Sequence, residues 1–235
     1  MEIPKEKIED KVHSGIKAAL NLLPGGGAIA EIFNMVVSPS IEKRREKWMR
    51  EVVEVLTELK CTQSGIVENL ANDEEFLSLL ISASIGAYKT HLEEKRKMFK
   101  NILQKSIEGR QIPFDMKQVF VNFVDELTIS HIKTLKFISN NIEDIKAYNE
   151  FQKIYDIWQT NKLYSVNIDL ITFRYLLKNL ESNGLIYISD DMREINNQVY
   201  ESEYLTTAGD NNEELPFIRI SELGYSFLSY ITENE

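Results

Sequence analysis

Three histidines, one cysteine and one serine are the residues of this chain best suited to chemistry. His13, His91 and His131 lie far apart, and none stands at ligand spacing from Cys61. A zinc site draws its ligands from close Cys or His pairs, so this spacing predicts no metal. His91 and Glu94 are three residues apart, near enough on a helix face to exchange a proton. A surface charge pair satisfies the same spacing and is the reading adopted, because acid–base work needs a pocket and a third, orienting group. His131 follows Thr128 by three residues, the interval at which a first-turn side chain helps to cap a helix. Ser221 precedes Glu222 and Gly224 without the G-x-S-x-G elbow of a hydrolase, and it stands where a helix needs its cap. Pro24-Gly25-Gly26-Gly27 is glycine-rich like a phosphate loop, yet it lacks both G-x-x-x-x-G-K-[ST] and a preceding strand. The residues therefore predict no catalytic site, no cofactor, no metal and no small-molecule substrate.

The elements that carry these residues read as mostly helical. Residues 5–23 place Ile8, Val12, Ile16, Ala19, Leu20 and Leu23 at three- and four-residue spacing. Pro24-Gly25 ends that helix, and a second apolar run follows from Ala28 to Val37. Ser40 is the expected cap of a helix from Ile41 to about Lys60, with Trp48, Val52, Val55, Leu56 and Leu59 as its apolar stripe. A short helical piece at 62–71 precedes one long helix from Asp73 to about Glu108, capped by Asn72. Its first half is apolar. Its second half is basic (Lys89, Lys95, Arg96, Lys97, Lys100, Lys105) and reads as a solvated face.

Helices are expected at 115–126, at 129–139 behind Thr128, and from Ile142 to Trp158, followed by a hinge at 161–167. Asn167 or Asp169 then opens a helix with Leu170, Phe173, Leu176, Leu177 and Leu180 on one face, closed by Asn183-Gly184. Strands at 185–188 and 217–220 flank an acidic stretch, and Ser221 caps a last helix. Helix, strand, long loop, strand is the pattern of a winged helix. The expected fold is mainly α: a multi-helix domain over 1–160, then a winged-helix-like domain with a small antiparallel hairpin over 163–235.

At 235 residues, 43% hydrophobic and 27% charged, the composition is that of a folded protein with ample core. One cysteine gives no internal disulfide, and Met1–Lys11 has no apolar signal core. No apolar run reaches the roughly 18 residues of a spanning helix, so the expected location is cytoplasmic. From Leu163 onward four basic residues face thirteen acidic ones, so that region holds −9 of the chain's −10. A winged helix that grips DNA needs cations against phosphate, and this one offers only Arg174 and Lys178 on the candidate helix. Its charge argues against nucleic acid as a partner. A winged-helix transcriptional regulator is the alternative function.

The stretch from Ser14 to Lys60 concentrates apolar residues beside cations. Ile29, Ile32, Phe33, Lys43, Arg44, Arg45 and Trp48 are the residues expected to form an interaction surface. Buried core helices are the plainer reading of such runs. A protein partner or a second copy of the chain is the next occupant. A membrane surface is the third, with Glu31 opposing deep insertion.

Three stretches carry a resemblance. They are IKAALNLLPGGGAIAEIFN at 16–34 with PSIEKRREKW at 39–48, FVDELTISHIKTLKFI at 123–138, and IRISELGYSFLSYI at 218–231. Their order resembles a widespread group of bacterial proteins and is similar in outline to the Abi-alpha (abortive infection) group, which shares an H-x-x-x-L helix and ends in a strand and a T-x-x-G-x-x-F helix. Here His131 and Leu135 fit the first pattern, and Ser221 stands in place of the Thr in the second. The resemblance implies a bacterial cytosolic protein and permits a phage-defence role. It transfers no active site. The expected function is a non-enzymatic interaction protein acting through protein or membrane contact of the 14–60 segment.

Overall fold

The computed structural model describes residues 42–62, 65–108, 112–148, 151–164, 166–188 and 218–232, together with Gly27. The expected hairpin at 14–37 and the Ser40 cap lie outside these residues. The chain is mainly helical with one two-stranded antiparallel sheet, and its described residues fall into two compact units. One runs to Glu126 and also takes Tyr230–Thr232; the other is Leu127–Ser229. The division therefore falls at Leu127 rather than at the 161–167 stretch. The cause is aromatic packing within the second unit that ties 129–164 to the residues after it.

The first unit contains α1 (Glu42–Thr62), α2 (Ile66–Ala71), α3 (Glu74–Lys89), α4 (Glu93–Ile107) and α5 (Phe114–Glu126). The stripe predicted for α1 is buried throughout, from Trp48 to Leu59, and packs on α3 and α4. Trp48 meets Phe99 edge-on at 6.5 Å and donates its indole N–H to Ser84 Oγ at 2.8 Å. Ser84 in turn donates to Leu80 O, so the acceptor of the Trp48 indole proton is itself held in place.

The single long helix expected over 73–108 is two helices. Thr90 turns extended at φ −86°, ψ 140° and accepts the Leu92 amide on its hydroxyl, which stops α3 and lets the chain reverse. A Cβ on Gly86 would lie 2.4 Å from Phe99 Cζ, so a bare α-carbon is what lets the Phe99 ring of α4 lie against α3. The cap of α3 is Asp73 rather than Asn72, its carboxylate accepting the Phe76 amide at 3.1 Å.

The second unit contains α6 (Ile129–Asn140), α7 (Ile142–Ile145), α8 (Phe151–Thr160), α9 (Leu170–Ser182), β1 (Ile186–Ile188), β2 (Ile218–Ile220) and α10 (Glu222–Ile231), whose last residues from Tyr230 count with the first unit. The helix expected over 142–158 is interrupted between Ile145 and Phe151. Fully buried Trp158 lies against Phe173 at 4.8 Å and stacks on Tyr155 at 6.0 Å, which joins α8 to α9. Asp169 caps α9 by accepting the Thr172 amide at 2.7 Å, and that bond holds its carboxyl below the usual carboxylate range. Asn183-Gly184 closes α9 as predicted, with Gly184 at φ 71°. In the sheet Ile186 pairs with Ile220 and Ile188 with Ile218, all facing inward. Between them Tyr187 and Arg219 face out, the guanidinium 4.7 Å above the ring.

Candidate functional site

The amino-terminal end of α1 holds four of the seven residues expected to form an interaction surface. Lys43 is exposed. Arg44 donates to the Tyr88 and Lys89 carbonyls at 3.2 and 3.0 Å, so its charge sits at the carboxyl end of α3, where a helix dipole favours a cation. Arg45 is only 5% exposed and pairs with Glu42 at 2.9 Å. Trp48 is not on the surface: it is 0% exposed, because it continues the apolar stripe of α1 into the seam with α3 and α4. Burial pushes the Tyr88 hydroxyl well above the ordinary tyrosine range, partly offset by Arg45 and Ser84. Ile29, Ile32 and Phe33 lie outside the described residues. The structure therefore brings Arg44, Arg45 and Trp48 together facing inward, at the α1–α3 contact.

The basic half of the expected long helix divides the same way. Arg96 is 3% exposed, and its Nε donates to both Glu51 oxygens at 2.8 and 3.0 Å. Lys100 reaches Glu54 at 3.1 Å and Lys47 reaches Glu93 at 3.2 Å. Three ion pairs thus staple α1 to α4 along their length. Beside them runs a groove of about 400 Å³ walled by Glu51 and Glu54 on α1 and by Lys97, Lys100 and Lys105 on α4. The charge run is not simply a solvated face. Arg96 falls in line with Phe99 and Leu103, and that register was the readable sign that it points inward.

Of the remaining chemical candidates, His131 and Ser221 serve as helix caps, while Cys61 is exposed. His91 lies in the turn between α3 and α4, outside both helices, and is exposed like Glu94, so the two share no helix face. Among the described residues no three His, Cys, Asp or Glu side chains come together to hold a metal ion, and no helix is long and apolar enough to cross a membrane. His131 completes a reciprocal cap. Thr128 Oγ1 accepts the His131 amide at 3.4 Å, and His131 Nδ1 accepts the Thr128 amide at 3.2 Å.

Ser221 does two jobs. Its hydroxyl donates to Gly184 O at 2.6 Å and accepts the Gly224 amide at 2.9 Å, joining the end of α9 to the start of α10. Ser221→Ala is expected to lose about 1–3 kcal/mol, and Ser221→Thr, which keeps the hydroxyl, to retain most of that stability; urea unfolding measures both.

Sequence reading missed two side chains. Ile171 is 78% and Tyr175 65% exposed, one turn apart on the outward side of α9. They fall off the Phe173–Leu177–Leu180 stripe, so the period alone places them outward. Nearby cations are engaged: Arg174 lies 4.7 Å over the Phe151 ring, and Lys178 pairs with Glu181 at 3.0 Å.

No curated protein and no solved structure matches the chain. The family pattern positions are all occupied by packing or capping residues: His131 and Ser221 as caps, and Leu135 and Phe227 fully buried. The model of a family described as abortive infection alpha matches residues 42–231, from the start of α1 to the end of α10, and the chain belongs to that Abi_alpha family.

Proposed function

We propose that this protein is a non-enzymatic abortive-infection factor that works by protein contact, made by the apolar segment ahead of α1. The observation that carries this reading is the stapling of α1. Arg44 on the α3 carbonyls, Lys47 on Glu93, Arg96 on Glu51 and Lys100 on Glu54 hold α1 along most of its length. Whatever binds the residues before Glu42 is therefore coupled to a fixed support. That segment, Ile16–Val37, also precedes the span shared with the family, which begins at residue 42.

In this reading α9, β1, β2 and α10 are a winged helix used for packing and protein contact. Its support is charge. Both cations of α9 are engaged, and the region from Leu163 carries −9. A surface of that sign repels a polyanion. A gel shift at low salt is expected to show no retained DNA, since even weak non-specific binders hold DNA there.

The cellular test is phage challenge of bacteria that express the protein. Protection is expected from the natural chain and is expected to be lost in an Ile32→Asp, Phe33→Asp variant with unchanged helical circular dichroism. Undiminished protection by that variant would sink the proposal. Flotation with anionic liposomes and mass measurement in solution then separate a lipid surface from a protein partner or a second copy.

A further inference from the structure

The last helix belongs to both compact units. Ser221 and α10 as far as Ser229 fall in the second, and Tyr230, Ile231 and Thr232 fall in the first. Each end is fastened within its own unit. At the amino end Ser221 donates its hydroxyl to Gly184 O and its amide to Leu185 O, and Phe227 is fully buried. The last turn of a helix leaves carbonyls without intrahelical donors, so the carboxyl end draws donors from elsewhere. Here α4 supplies two. Asn101 Nδ2 donates to Ile231 O at 2.8 Å, and the Lys105 ammonium donates to Thr232 O. Tyr230 adds a ring contact with Phe120 of α5 at 5.3 Å.

Asn101 and Lys105 are four residues apart and share one face of α4. They are only 8% and 4% exposed, and a lysine is almost never so buried unless it is paired. The partial negative charge at a helix carboxyl end suits that ammonium. An apolar side chain at either position would fill the space and withdraw a donor from the end of α10.

We infer that α10 is a tie between the units, making them fold and unfold together, with Asn101 and Lys105 as its fastening on the first. The helix is ten residues long, about 15 Å, and its own backbone bonds keep it from stretching. If the second unit unfolds, Ser221 and the first turns of α10 go with it. The two or three helical residues left cannot hold their shape, because a helix nucleus is costly. Ile231 and Thr232 then no longer present their carbonyls to α4, and the first unit loses those bonds together with Tyr230. The other crossing of the chain between the units, at Leu127, lies between α5 and α6 and carries no continuous helix.

The chain's two tryptophans report the units separately. Trp48 lies in the first and Trp158 in the second, and both are fully buried. The full chain is labelled with fluorotryptophan, its two fluorine signals are assigned with Trp48→Phe and Trp158→Phe, and both are followed through urea unfolding. The perturbation is Phe173→Ala, which opens a cavity beside Trp158 in the second unit. Without other changes it is expected to lower both midpoints together, by about 1 M urea or more. In a chain that also carries Asn101→Leu and Lys105→Met, it is expected to lower the Trp158 midpoint alone.

A Trp48 midpoint that ignores Phe173→Ala while α10 is fastened would overturn the proposal. So would one that follows it undiminished once the fastening is removed, since the coupling would then run by another route. Should the Asn101→Leu, Lys105→Met chain show no native Trp48 signal, Asn101→Leu alone takes its place: weakened transmission supports the tie, and full transmission refutes it. Should Phe173→Ala leave no native Trp158 signal, the milder Phe173→Leu replaces it with the same two outcomes.

Discussion

Gly224→Ala is expected to cost about 3–5 kcal/mol and to pull the unfolding midpoint down accordingly, a large fraction of the margin of a typical domain. A Cβ at position 224 would stand 2.2 Å from Leu185 O and 2.7 Å from Ile220 Cγ1. Neither neighbour can yield cheaply. Leu185 O is main chain, it already accepts the Ser221 amide at 3.0 Å, and its residue is fully buried. Moving it would break the junction at which α9, β1 and α10 meet, and Ser221 Oγ would lose Gly184 O or the Gly224 amide in the same motion. Helix propensity works the other way, since Ala gains up to about 1 kcal/mol over Gly inside a helix. The clash is the larger quantity. Urea unfolding monitored by circular dichroism gives the number, and a loss under about 1 kcal/mol would mean that the junction relaxes freely.

Trp48→Ala is expected to cost about 3–5 kcal/mol as well, by a different route. The side chain is fully buried, edge-on to Phe99 and bonded to Ser84. Truncation leaves a cavity at the α1–α3–α4 contact, although Ser84 keeps its bond to Leu80 O. Trp48→Phe retains most of the packing and should recover much of the loss. Lys43→Glu, at an exposed position of the same helix end, should change stability by less than about 0.5 kcal/mol. The contrast separates a core residue from a contact residue. Thermal unfolding of the three variants measures it, and an unaltered melting temperature for Trp48→Ala would return the indole to the surface.

Much of the local architecture is written in neighbouring residues. Thr128 and His131, Asn183-Gly184 and Ser221 announce helix ends because capping is a bond between residues a few positions apart, and they were found where the spacing placed them; of Asn167 and Asp169, it is Asp169 that caps α9. The inward stripes of α1 and α9 and the Ile alternation of β1 and β2 follow equally from the helical and strand periods. The charge imbalance after Leu163, and with it the case against DNA, needs no structure at all.

Other features depend on atoms far apart in the chain. The break at Thr90 is weakly marked locally, and it matters because Phe99 must come back against Gly86. Arg44 and Arg45 look like free surface cations in the sequence, yet Arg44 serves carbonyls 44 and 45 residues away. Arg96 resembles its lysine neighbours until Glu51 is set beside it. Local bonds and periodicities determined the elements and their caps. Which charges became fasteners and where the units divide were decided only by tertiary packing, because those energies exist only once distant segments meet.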